Sequence, residues 1–207
     1  MNEPADGYGN VTLPESARWG KNTARSLKNF PIGTETMPEA MIRAIVILKR
    51  SAALVNGRYH EIEEEAALAI VECCDAILAR YDASLFPLSL WQTGSATQTN
   101  MNVNEVIALA CQERHESLTI HPNGDVNHRQ SSNDVIPSAM SIMAYQMSTD
   151  LLAAVDRVIE TLVELQRKHE GYLKVGRTHY QDATPMLVTQ EIQGWIGSFQ
   201  SARAMIK

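Results

Sequence analysis

The segment VIPSAMSIMAYQMSTDLLAAVDRVIETLVELQRK, residues 135–168, decides the fold. Within it Met140, Ala144, Met147, Leu151, Val155, Val158, Leu162 and Leu165 recur at spacings of three and four. That is the heptad-like seam of a helix that packs in a bundle. Pro137 fits only a first helical turn, so the helix should open at about Val135. At a rise of about 1.5 Å per residue the rod is on the order of 50 Å long. So long a stripe cannot be covered within so short a chain, and its partners are expected to come from other subunits.

Downstream, His169-Glu170-Gly171-Tyr172 closes the rod, and Lys174 to Thr184 reads as a donor-rich turn. A helix from Thr189 to Lys207 follows, with Ile192, Trp195, Ile196, Phe199 and Ala202 on one face. The pattern stops there without a cap, as in an incomplete bundle. Upstream, residues 1–35 carry Gly7, Gly9, Pro14, Gly20, Pro31 and Gly33. They read as an irregular leader, with a short strand or hairpin near Val11–Leu13 and a turn-like stretch at Trp19–Ser26. A helix should open on the capping box of Thr36 and Glu39, with Pro38 in its first turn. Met41, Ile42, Ile45, Leu48, Ala52, Leu54 and Val55 would be its apolar stripe, and Asn56-Gly57 its C-terminal cap. A second helix near His60, acidic at its start through Glu61, Glu63, Glu64 and Glu65, would bury Ala67, Ile70, Val71, Cys74, Ile77 and Leu78. The whole reads as an all-α fold. A helical domain with its leader and loops spans 1–134, and the start of a long-helix bundle domain spans 135–207.

The charge balance narrows the function. The 207 residues carry a net charge of −6 and no basic run, which excludes nucleic acid and anionic membranes as expected partners. No stretch approaches the roughly 18 apolar residues of a membrane span, and the start, Met-Asn-Glu-Pro-Ala-Asp-Gly, has no apolar signal core. A cytoplasmic protein is expected. Cys73, Cys74 and Cys111 read as small buried hydrophobes, and no His, Cys or carboxylate spacing suggests a metal. Neither a P-loop, a Gly-x-Gly-x-x-Gly fingerprint nor a serine-hydrolase elbow is present. No cofactor is expected.

Three polar clusters, 92–104, 121–134 and 174–184, lie at helix ends. In the first, nine of thirteen residues carry a hydroxyl or an amide and none is charged. Such a stretch is expected to be buried, its groups bonded to backbone or to a ligand. The second runs from His121 to Asp134 into the N-terminal end of the rod, where backbone N–H groups and the helix dipole favour an anion. The third contains Arg177-Thr178-His179. The set suits a small carboxylate with an acid–base step beside it. Local readings compete at every position. Ser131, Ser132 and Asn133 could cap the rod, and Ser95, Thr97 and Asn100 could cap a helix over 98–111. His179 could be structural, Trp91 and Trp195 core, and Arg129 a surface charge.

The motifs go further than the composition. Gly-Ser-Ala-Thr-Gln-Thr-Asn-Met-Asn-Val-Asn-Glu-Val (94–106), His-Pro-Asn-Gly-Asp-Val-Asn with Gln-Ser-Ser-Asn-Asp (121–127, 130–134) and Gly-Arg-Thr-His-Tyr-Gln-Asp-Ala-Thr-Pro (176–185) resemble the signatures of the fumarase/aspartase superfamily. Trp19-Gly20, Thr23 and Arg25-Ser26 extend the likeness. Gln98, Ser132, Asp182–Pro185 and the segment around Gln190 and Trp195 lean toward class II fumarase, with aspartate ammonia-lyase the neighbouring alternative. The resemblance implies a lyase of the tricarboxylic acid cycle that hydrates fumarate to L-malate reversibly, without metal, through an aci-carboxylate intermediate. It implies a homotetramer around a central bundle of twenty long helices, each site built from three chains. Ser95 and Thr97 would bind a substrate carboxylate. Ser131, Ser132 and Asn133 would bind it from a second chain. Thr178 and His179 would come from a third, His179 positioning or activating water as the catalytic residue. His121 and Asn123 match an accessory anion site. Two departures bear on that site: Gly124 stands where an acidic residue is usual, and His128-Arg129 where Lys-Ser is typical. The family's Gly-Ser-Ser-x-Met-Pro-x-Lys-x-Asn-Pro loop, with the catalytic serine, would lie beyond Lys207. The 207 residues are therefore expected to act as an N-terminal portion, inactive alone. The rival reading is a short non-catalytic relative that serves in assembly or binding.

Overall fold

The computed structural model describes residues 11–207. The expected irregularity at Gly7 and Gly9 lies outside them. In chain order come α1 (Lys21–Asn29), α2 (Glu39–Arg58), α3 (Glu64–Ala79), a 3₁₀ turn (Ala83–Leu85), α4 (Thr97–Arg114), a π turn (Pro122–Val126), α5 (Ser132–Lys168), β1 (Leu173–Thr178), β2 (Gln181–Leu187) and α6 (Val188–Ile206). Among the described residues the fold is helical apart from one two-stranded sheet. Two compact units divide after Met143, inside the continuous α5. No described helix is long and apolar enough to cross a membrane.

The first unit is built on α2, α3 and α4. Ile42, Ile45, Val46, Ile70, Val103 and Ile107 are fully buried between them, and Ile120, Val126, Val135, Ile136 and Ala139 close the core. Each such aliphatic side chain contributes roughly 1.5–3 kcal/mol by leaving water. Cys73, Cys74 and Cys111 are buried free thiols in this core, and burial pushes Cys74 up to about 12. The stripe of α2 differs from the spacing-based expectation. It runs through Ile42, Ile45, Val46, Lys49, Ala53 and Asn56, while Leu54 and Val55 face solvent. Asn56-Gly57 is no cap, for the helix continues to Arg58 and the chain turns at His60, with φ of 56°. Gly57 instead serves the approach of α3, since a Cβ there would meet the Ala67 methyl at 2.6 Å. The Thr36 capping box does not form either. Pro38 is the N-cap, Thr36 bridges to Ser89, and Glu39 pairs with Arg43 at 2.6 Å.

Helix α1 forms where a turn was expected, and no strand forms at Val11–Leu13. Its sequence, KNTARSLKN, buries only Thr23, Ala24 and Ser26. What holds it is Glu105 of α4, buried at 4% exposure. The Glu105 carboxylate accepts the backbone N–H of Gly20 (3.0 Å), Asn22 (2.8 Å) and Thr23 (3.1 Å), the Asn22 amide (3.0 Å) and the Thr23 hydroxyl (2.6 Å). A side chain from another helix thus satisfies the donors that α1 leaves free at its start. Asn102 donates to Thr23 Oγ1 and to the Leu85 carbonyl, both at 3.1 Å, so much of the uncharged polar stretch is cross-linking inside the core. Gly20 has to be glycine here, because a Cβ would lie 2.6 Å from Glu105 Cδ. We expect Gly20→Ala to cost about 2 kcal/mol or more in denaturant unfolding. An unchanged midpoint would show that Glu105 can move aside.

The second unit holds the rest of α5, the hairpin and α6. Val155, Ile192 and Ile196 are buried. Arg203 pairs with Asp156, Lys174 with Glu191 at 2.5 Å, and Gln166 donates to the Thr189 carbonyl at 3.2 Å. Pro137 is the sixth residue of α5, beyond the first turn in which it was expected. The seam of α5 stays largely uncovered in the single chain: Met147 is 57% and Leu151 50% exposed. Trp195, expected in the core, is exposed on α6, as is Trp91 before α4. The segment 174–184, read as a turn, is instead most of a hairpin. Leu173 pairs with Leu187 and Thr178 with Gln181, with a register shift between Val175 and Arg177.

Candidate active site

Two helices of the first unit begin side by side. Thr97 is the first residue of α4 and Ser132 the first of α5, and their hydroxyls are 3.0 Å apart. Ser95 joins them, its Oγ 3.1 Å from Thr97 Oγ1. All three are at least partly open to solvent, in contrast to the buried Thr99, Asn100, Asn102 and Asn104 one to two turns on. The start of α4 has no side-chain cap, and its N-cap, Ala96, is left-handed with φ of 50°. Ser95 and Thr97 are therefore not caps, and the first N–H groups of α4 receive no acceptor from a capping side chain. At α5 the local reading holds for one residue: Ser131 Oγ accepts the Asn133 N–H at 3.2 Å. Asn133 itself is exposed in the first turn.

The convergence changes one expectation. The resemblance divides Ser95 and Thr97 from Ser131–Asn133 between two chains. The Thr97–Ser132 hydrogen bond puts both groups in one chain. The cause is the shared anchoring of both helix starts: Asn100 of α4 donates to Asn127 Oδ1 at 3.1 Å, and Asn127 donates to the Gln130 carbonyl at 3.0 Å. Chemically the result is three hydroxyls at two positive helix ends, an arrangement suited to a carboxylate and to charge growing on it.

The accessory residues sit on the π turn that precedes α5. His121 Nδ1 accepts the N–H of Asn123 (3.2 Å) and of Gly124 (2.9 Å), which leaves Nε2 as the donor of that exposed ring. Asp125 accepts the His121 N–H at 2.6 Å. His128 Nδ1 donates to the Gly124 carbonyl at 3.0 Å. Arg129 is a surface charge, as its local reading has it, and it is paired. It forks onto Glu61 at 2.9 and 3.1 Å, and this pairing holds the Glu61 carboxyl below its ordinary range.

Thr178 and His179 belong to the second unit. Thr178 ends β1, and His179 with Tyr180 forms the two-residue turn, both left-handed with φ of 49° and 60°. Two positive-φ residues suit the right-handed twist of a hairpin, but the usual occupants are Asn and Gly. A histidine and a tyrosine there carry strain of roughly 1–2 kcal/mol each, which is typical of positions kept for their side chains. Tyr180 is fully exposed. We expect Tyr180→Gly to slow amide exchange at Thr178 and Gln181 by the equivalent of about 0.5–1 kcal/mol. Faster exchange would mean that Tyr180 is held by packing.

Sequence reasoning passed over Lys49, and gave Asn100 only a capping role and Asn127 only a place in a motif, although all three anchor the segment before Ser131. Lys49 was visible in principle, a charge at the 42, 45, 49 spacing of an apolar stripe. Among the described residues no group of three or more His, Cys, Asp or Glu side chains could hold a metal ion.

Known proteins resemble this chain over nearly its whole length. Class II fumarate hydratase of Bacillus subtilis (strain 168) is 45% identical over 207 residues, taking in 97% of this chain and 45% of the relative. That of Myxococcus xanthus is 44% identical over 208 residues, 98% of this chain and 45% of the relative. The crystal structure of recombinant class II fumarase from Schistosoma mansoni superposes with a TM-score of 0.85 at 38% identity, covering 96% of this chain and 43% of that one. A fumarate lyase:delta crystallin from Brucella melitensis gives a TM-score of 0.86 at 32% identity, covering 97% and 48%. The chain thus spans about 45% of the length of the curated relatives it matches. A family model described as lyase matches residues 9–207, and the chain belongs to that lyase family.

Proposed function

We propose that this chain supplies part of a fumarate hydratase site, in which water adds reversibly across fumarate to give L-malate. The observation that carries the reading is the Ser95–Thr97–Ser132 hydroxyl cluster at two helix starts. Likeness to class II fumarate hydratases supports the substrate class, a small dicarboxylate. In this reading the cluster, with Ser131 and Asn133, binds one carboxylate. It takes up the charge that develops when a proton leaves the adjacent carbon. Thr178 and His179 of another copy of the chain supply the residue that positions or activates water, and His121 and Asn123 form an accessory anion site. The exposed seam of α5 would be covered by further copies in a homotetramer whose long helices pack together.

The test is turnover by the polypeptide encoded by the whole reading frame, with malate and aspartate as competing substrates. Malate dehydration without aspartate deamination is expected. The reverse preference would assign an ammonia-lyase, and neither activity would leave an assembly or binding role. We expect Ser132→Ala to lower kcat/KM by roughly 10²-fold, as for loss of one donor to a developing oxyanion. The 207 residues alone are expected to form no malate.

A further inference from the structure

Lys49 lies in the middle of α2, fully buried among Ile45, Val46, Ala53 and Cys74 of the first-unit core. A methionine would fill the same volume without the cost of an ammonium group withdrawn from water. What the lysine adds is a bond: Nζ donates to Asn127 Oδ1 at 2.7 Å. That oxygen also takes the Asn100 amide of α4 at 3.1 Å, so Asn127 has a single orientation. Its own amide then points at the Gln130 carbonyl, 3.0 Å away. Gln130 directly precedes Ser131 and Ser132, and its side chain grips the Val126 and His128 carbonyls at 3.0 and 3.2 Å. Two turns along α2, on the same stripe, Asn56 donates to the His128 carbonyl at 3.0 Å. One face of α2 thus holds the segment that leads into Ser131 and Ser132 twice, at Asn127 and at His128.

We propose that Lys49 is a positioning residue of the substrate site: through Asn127 it holds the segment carrying Ser131 and Ser132 against the start of α4. The assignment of those serines to substrate rests on the fumarate hydratase reading. The groups facing Lys49 allow it to titrate in the neutral range. Burial pulls it down to about 7, and the titratable group acting on it among the described residues is the Cys74 thiol of α3. From the segment after the π turn it meets the neutral amide of Asn127, whose oxygen also takes the neutral Asn100 amide of α4. Loss of the Lys49 proton therefore weakens the hold on Asn127 near neutral pH.

The experiment is amide exchange on the chain without substrate, so its outcome is independent of which substrate the enzyme takes. The reporters are Gln130, whose N–H donates to the Asn127 carbonyl, and Asn133, whose N–H donates to Ser131 Oγ. In Lys49→Met we expect protection at both to fall about tenfold, while Ile45 and Ile70 in the core lose none. Asn127→Ala should free the same two amides, and the double variant should be no worse than either single. In the parent, protection at Gln130 and Asn133 should step down as pH rises through about 7, and Lys49→Met should lack the step. The proposal is overturned if Lys49→Met leaves both amides unchanged. It is equally overturned by a loss spreading evenly into the core, by additive single variants, or by a pH step that persists in Lys49→Met.

Discussion

Glu105→Ala is expected to lower the stability of the first unit by about 3–5 kcal/mol, the range for breaking a buried charged hydrogen-bond network. Five donors converge on this carboxylate, three of them backbone N–H groups at the start of α1. Charge-assisted bonds of this kind are roughly twice as strong as neutral ones. Their loss leaves Gly20, Asn22 and Thr23 without acceptors in a site too enclosed for easy rehydration. Because α1 buries little apolar surface of its own, it should detach before the rest unfolds. Amide exchange over Lys21–Asn29 should then approach that of an open chain, and the melting temperature should fall by on the order of 10 °C. A melting temperature within a degree or two of the parent would refute the account. Glu105→Gln should lie between, since its oxygen keeps part of the set while its amide meets donors.

Lys49 predicts a pH dependence of comparable size. The folded protein holds this proton less tightly than the unfolded chain, at about 7 against an ordinary 10.5. Below pH 7 both states are charged, and folding bears the full cost of burying the ammonium group. From about pH 7 upward the folded side chain is neutral while the unfolded one is not, so stability rises by about 1.4 kcal/mol per pH unit. Taken to 10.5 the gain approaches 5 kcal/mol, an upper bound. Cys74 works in the opposite sense, because burial raises it from 9.0 to about 12. Above pH 9 the unfolded chain loses a thiol proton that the folded one keeps, and stability falls. The net rise therefore belongs to the interval from about pH 7 to 9. Lys49→Met should be more stable than the parent at pH 7, lose the rise and keep the fall. Urea unfolding across that interval decides the matter, and parallel curves for parent and variant would sink it.

How much of this was legible beforehand depended on the range of the interaction. The 135–168 rod, the α3 stripe from Ala67 to Ile77 and the polar clusters at helix ends are patterns of near neighbours in the chain. Periodicity exposes them directly. Helix α1 was not legible because its cap comes from Glu105, more than eighty residues away, and its own residues look like a turn. The hairpin was missed because a His-Tyr turn carries no Asn-Gly signal. Trp91 and Trp195 read as core, yet each keeps about half of its surface in solvent in the single chain.

Sequence alone, through its motifs, pointed to the lyase family and to the hydroxyl, amide and imidazole groups suited to a dicarboxylate. Residue type and spacing carry that chemistry, and both can be read without coordinates. Only the tertiary structure decided that Thr97 and Ser132 meet within one chain. It alone also revealed that Lys49 holds the segment beneath them. Each arrangement depends on which polar groups of distant segments pair. That pairing joins residues from 35 to 85 positions apart, and no local pattern encodes it.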